Sequence, residues 1–239
     1  MKSKHLFLRL ILSLTCFVGA LNSQAQSTKI AIVSAADTTF VHCHVGFTAF
    51  TNSIDTLKPN FSIPDYLEKK IQFYLAPQYS VSVVQLPDSV LKAKDGFFRS
   101  TKTKKIKQWI QSNKDLYDMV IVIENMGLSE NERQIPKNTS GIFSNRSYVS
   151  YYSTISFFAY RTSNLKPLEY YNQGGKFIQT VKDFKLPDDK KSYTPEILNS
   201  INNGFKSYLD SRVEYFLAKS YLLAQDKIDA IKAESKSNK

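Results

Sequence analysis

Tyr117 to Met126 reads YDMVIVIENM, and its five consecutive apolar residues, Met119 to Ile123, are what a strand buried on both faces requires. Two weaker runs precede it, KIAIVSA at Lys29 to Ala35 and YSVSVVQL at Tyr79 to Leu86. Each is followed by a plausible helix. A β, α, β, α, β order predicts parallel strands covered by helices on both faces. The expected fold is α/β: a three-layer sheet whose parallel amino-terminal half is extended by antiparallel strands, closed by a long carboxy-terminal helix.

The helices follow from spacing. Leu67, Ile71, Tyr74 and Leu75 recur at helical intervals, with Pro64 and Asp65 suited to a first turn and Pro77 to a stop. Ile106, Trp109 and Ile110 make a narrow apolar stripe on a segment rich in lysine. Leu198, Ile201, Phe205, Tyr208, Leu209, Val213, Phe216 and Leu217 give one continuous apolar face, and Thr194 is placed to cap it.

Between these elements, Ala35 to Leu57 is poor in charge and alternates, which predicts extended chain, as a hairpin or an edge strand. Residues 127 to 147 read as an exposed polar loop, and Tyr148 to Arg161 as antiparallel strands. The charged residues from Asp226 onward are expected to fray.

Met1 to Ala25 carries Lys2, Lys4 and Arg9, then an apolar core, then Ser23-Gln24-Ala25, the pattern of a cleaved signal peptide. Its apolar run falls short of the ~20 residues that a membrane span needs, and no later run is longer. The expected division is a leader at 1–25, one α/β domain at 26–225 and a charged tail at 226–239. The expected location is periplasmic or secreted. Removing the leader takes Lys and Arg from 32 to 29 against 21 acidic residues, an excess of 8. Export excludes most intracellular nucleic-acid roles and leaves an envelope protein or a glycan as partner. Of two cysteines only Cys43 survives cleavage, so no intrachain disulfide forms.

Chemistry-bearing residues are few. In His42-Cys43-His44 a strand puts both imidazoles on one face, close enough to share a zinc or copper ion, with Cys43 on the other face. A Ser/His hydrolase would draw on the same histidines with Asp37 and a serine such as Ser34. No G-x-S-x-G, P-loop, G-x-G-x-x-G or H-E-x-x-H motif is present, and no cofactor is identified. In an open parallel sheet, ligands sit beyond the carboxyl ends of the strands, which here present Ser34, Asp37, Asp88, Glu124 and Asn125. Arg99 to Lys107 offers a basic helix face and Tyr148 to Tyr171 a tyrosine-rich region suited to sugars or peptides.

The segment HVGFTAFTNS after a first strand, followed by this element order, resembles uncharacterised exported proteins of Gram-negative bacteria, especially Bacteroidetes, whose sheets are similar to the amino-terminal domain of TolB and to the CsgG-type periplasmic fold. The resemblance spans residues 29 to 125 and implies a fold without a catalytic motif. Asp37-Thr38-Thr39, Asp55-Thr56-Leu57 and Asp88-Ser89-Val90 also resemble the O-glycosylation pattern of exported Bacteroidetes proteins. The function expected from all this is an exported, non-catalytic binding or envelope-assembly component, with a metal-dependent or Ser/His hydrolase centred on Asp37, His42 and His44 as the alternative.

Overall fold

The computed structural model describes residues 27–46, 52–93, 101–125, 135–145, 148–170, 178–181, 186 and 193–237. The expected leader lies outside the described residues. In chain order the elements are β1 (Lys29–Ser34), β2 (Thr39–Val45), β3 (Ser53–Thr56), α1 (Ile63–Leu75), β4 (Ser80–Val83), α2 (Asp88–Leu91), α3 (Thr101–Ser112), β5 (Met119–Asn125), β6 (Thr139–Asn145), β7 (Val149–Ser153), β8 (Ile155–Arg161), β9 (Pro167–Tyr170), β10 (Ile178–Val181), α4 (Pro195–Lys219) and α5 (Gln225–Ser237).

Strand β5 is the spine of a sheet ordered β4-β1-β5-β8-β9. Its central residues, Val120 to Ile123, have no solvent exposure. The reason is the period of two along a strand: Val120 and Val122 meet Ile106, Ile110 and Val90 from α3 and α2, while Ile121 and Ile123 face Leu67, Ile71 and Phe216 from α1 and α4. Strands β4, β1 and β5 are mutually parallel, β8 pairs antiparallel with β5, and β9 pairs antiparallel with β8. This is the α/β architecture the sequence predicts, with helices over both faces.

A second sheet, ordered β10-β7-β6-β2-β3, continues from the first. The chain passes from β1 to β2 across Ala35–Thr38, and from β7 to β8 across Thr154 alone. The parallel ladder runs to Ala35 N–H donating to Ile123 O at 2.7 Å, breaks, and resumes at Thr39 N–H donating to Asn138 O at 3.1 Å. Strand β6 lies inside the stretch expected to be an exposed loop, so that expectation is corrected for Thr139–Asn145, whereas Lys137 and Asn138 before it form an exposed turn. Residues 126–134 are outside the described set. What hides the strand is Gly141, whose φ of +147° and close approach to β2 exclude a side chain: a Cβ there would sit 2.0 Å from Val41 O.

Helix α4, 25 residues and roughly 37 Å long, spans both sheets. Its first half packs Phe205 edge-on to Phe40 at 4.8 Å and beside Tyr151, on the second sheet. Its second half stacks Phe216 on Phe157 at 5.2 Å, on the first. Thr194 caps it by accepting from Ile197 N–H at 3.4 Å, with Pro195 in the first turn. Asp210 takes Tyr66 OH at 2.7 Å and Lys70 Nζ at 2.9 Å, while Glu214 takes Tyr74 OH at 2.6 Å and Lys232 Nζ at 2.8 Å. Those bonds tie α1 and α5 to α4. The expected frayed tail is therefore mostly helix, seated through Ile228, which is fully buried. Among the described residues no helix is long and apolar enough to cross a membrane.

Candidate functional site

Two polar clusters emerge, one at the seam between the sheets and one further along β2. At the seam the broken ladder frees backbone groups that side chains must satisfy. Ser34 Oγ accepts from Ala36 N–H at 3.3 Å, Asn125 Nδ2 donates to Asp37 O, and Lys102 Nζ donates to Ala35 O at 2.5 Å. Thr38 Oγ1 donates to Ser140 Oγ at 3.0 Å, and Ser140 bonds in turn to Ser153 Oγ at 2.8 Å. From α4, the buried Arg212 donates Nη1 to Ser153 O at 3.0 Å and Nη2 to Ile155 O. Glu124 pairs across the ladder with Ser156.

The structure thus gathers Ser34, Asp37, Glu124 and Asn125 at the carboxyl ends of β1 and β5. Helices α1 and α3 cover opposite faces of the β4-β1-β5 ladder, so the winding reverses between β1 and β5, where open α/β sheets bind ligands. Asp37 is exposed there. Asn125 Oδ1 is buried with no hydrogen-bond partner among the described residues.

On β2, His42 and His44 share one face as expected. Cys43 points the other way, into a small cluster with Val41, Phe143 and Tyr152. His42 Nε2 lies 2.7 Å from Ser144 Oγ, His44 Nδ1 lies 2.9 Å from the same oxygen, and Tyr193 OH lies 2.8 Å from His42 Nδ1. The parallel register creates this contact by setting His44 beside Ser144. A neutral imidazole offers one donor and one acceptor, so the four groups form a continuous chain of hydrogen bonds. Burial above all, and then the neighbouring His44, push the His42 pKa down to about 4, against an opposing pull from Asp55.

Asp37 is not brought to the histidines; the acid opposite His42 is Asp55, its cross-strand partner on β3. Sequence reasoning missed Ser144, Tyr193 and Asp55. Only Asp55, alternating along a short edge strand, had a local signal. Both ring nitrogens of His42 engage hydroxyls, and among the described residues no group of three or more His, Cys, Asp or Glu side chains is placed to hold a metal.

Two further surfaces resolve differently. The expected tyrosine platform is corrected for Tyr151, Tyr152 and Tyr160, which are buried as core, leaving Tyr148 the partly exposed member among those whose side chains are described. Of the hydroxyls that follow the aspartate in the three glycosylation-like patterns, that of Thr38 is spent on Ser140, whereas Thr56 and Ser89 are exposed.

No family model matches the chain, and no curated protein matches its sequence. Among solved structures it is similar to a hypothetical protein, CT253, from Chlamydia trachomatis, at 7% identity over 78% of this chain and 98% of that one, with a TM-score of 0.31. A likeness that weak defines neither fold nor function.

Proposed function

We propose that the protein is an exported binding or assembly component of a bacterial envelope, taking a polar ligand at the seam through Asp37, Asn125 and their neighbours Ser34 and Glu124. The observation that carries this reading is Asn125 Oδ1, buried without a hydrogen-bond partner among the described residues at the point where the winding of the sheet reverses. The leader-like first 25 residues support an extracytoplasmic role.

The test is a thermal-shift screen of polar small molecules and divalent cations, run on the wild type and on Asp37→Ala. A ligand at a hundredfold excess over its Kd stabilises by about 2.7 kcal/mol, roughly 5–10 °C for a domain of this size. The expected result is a hit with a shift of that order in the wild type that is lost in the variant. A ligand that shifts both proteins equally sites binding elsewhere and ends the seam assignment.

One observation favours a Ser/His hydrolase as a second reading: a serine, an imidazole and an orienting hydroxyl in series, Ser144, His42 and Tyr193. The serine is Ser144 rather than Ser34, and it is buried. Incubation with a fluorophosphonate decides it. Labelling at Ser144 that Ser144→Ala abolishes supports catalysis, and an unlabelled protein removes this reading.

A further inference from the structure

Beyond the seam, we propose that the outward face of α3 is a docking surface for an acidic polysaccharide, with Lys104 and Lys107 taking its carboxylate or sulfate groups and Thr103, Gln108 and Gln111 its hydroxyls. The helix reads TKTKKIKQWIQS and contains no acidic residue. Lys102, Lys104, Lys105 and Lys107 are packed into six residues, so the potential over this part of the helix is of one sign. Lysines of such a run that make no bond within the fold leave their charge for an anionic partner.

The four lysines divide by what they touch. Lys102 reaches Ala35 O at 2.5 Å and Lys105 reaches Ser89 O at 2.8 Å, so these two serve the fold. Lys104 and Lys107 are exposed, and the Lys107 ammonium stands 5.8 Å from the centre of the Tyr160 ring on β8. Together with Thr103, Gln108, Gln111 and Leu165 they line an open groove of about 500 Å³ between α3 and the β8–β9 turn. Arg161, at the end of β8, and Lys166, in the turn, are also exposed.

The lining argues for a sugar polymer. Lysine stems and the half-buried Leu165 offer an apolar floor for a pyranose ring. Each glutamine amide both gives and accepts hydrogen bonds, as sugar hydroxyls require. The ammoniums supply the charge complement, and no large apolar side chain in the lining stands fully exposed for membrane insertion.

The experiment is biolayer interferometry of the exported full chain on immobilised polygalacturonate, with neutral dextran as reference and salt varied. Lys104→Gln/Lys107→Gln is expected to weaken binding about tenfold, and Lys104→Arg/Lys107→Arg to retain it. Lys69→Gln/Lys236→Gln, which removes the same charge elsewhere, is expected to change binding less than about twofold. Circular dichroism establishes that each variant is folded. Binding that is absent at low salt, or lost equally in both glutamine variants, overturns the proposal. So does full competition by inorganic phosphate, or binding to phosphatidylglycerol vesicles without binding to the polysaccharide. Loss of a seam ligand in Asp37→Ala leaves all these outcomes unchanged, so the two readings fail independently.

Discussion

Replacing Arg212 with methionine is expected to lower the unfolding free energy by about 2–4 kcal/mol and the melting temperature by roughly 10 °C. Arg212 is 2% exposed, and its guanidinium carbon lies 5.8 Å from the centres of both the Phe157 and Tyr208 rings. Two of its donors go to Ser153 O and Ile155 O, which flank Thr154, the one residue separating β7 from β8. Where a strand changes sheets its carbonyls lose the ladder, and a buried carbonyl left without a donor costs about 1–3 kcal/mol. Methionine keeps much of the volume between the rings, so the loss reports mainly on the two carbonyls. Relief from burying a charge offsets part of it, since a buried cation is costly in its own right. Lysine at the same position keeps the charge but cannot fork across both acceptors, and an intermediate loss is expected. Thermal and urea unfolding followed by circular dichroism measure both. A variant within about 2 °C of the wild type would mean that the seam is held by the ladders on either side and not by Arg212.

That clamp also marks the border of what could be read from the sequence. Val120 to Ile123 announced a two-face-buried strand because each residue is apolar whichever way it points. Helix α4 was legible for a similar reason: its apolar positions repeat over many turns and Thr194-Pro195 signals the start. Strand β6, TSGIFSN, carries no such signal. Its inward face places Ser140 against Thr38 and Ser153, and Ser144 between two imidazoles, so polar residues sit where a period-two reading demands apolar ones. The tyrosines misled in the opposite direction, since Tyr151 and Tyr152 occupy opposite faces of β7 and both faces are covered. At α5, Ile228 and Ile231 are spaced for a helix face, but charge around them disguised it.

The candidate sites divide along the same line. Ser34, Asp37, Glu124 and Asn125 were legible because strand ends are local features and the parallel order puts them side by side. The companion of the histidines was not, because Ser144 stands 102 positions from His42 and only the β2–β6 register joins them. Chemistry that depends on register between distant strands leaves no pattern in a single stretch of chain.

The histidine cluster carries the second large expected effect, a pH dependence whose sign follows from its burial. His42 titrates near 6.5 in an unfolded chain and at about 4 in the fold, so below pH 6.5 the unfolded chain binds more protons. Stability from this group is fully present above pH 6.5 and is lost as the pH falls toward 4. Between pH 7 and pH 4.5 the loss is about 2 kcal/mol. The groups facing the ring fix the direction: His44 opposes a second positive charge, Asp55 favours it more weakly, and burial pushes Tyr193 up to about 12, so that it stays neutral throughout. Glu68 on α1 acts with the opposite sign. Burial, then Asp65, raises its pKa to about 6, so the fold takes up its proton more readily and gains stability on acidification, which masks much of the His42 loss in the wild type. The comparison that separates them is the difference in urea unfolding free energy between the wild type and His42→Gln. That difference is expected to narrow by about 2 kcal/mol from pH 7 to pH 4.5, whereas Glu68→Gln is expected to make the wild-type loss visible. A difference independent of pH would mean that the imidazole accepts its second proton as easily in the fold as in water, and that Tyr193 and Ser144 then serve a charged ring as well as a neutral one.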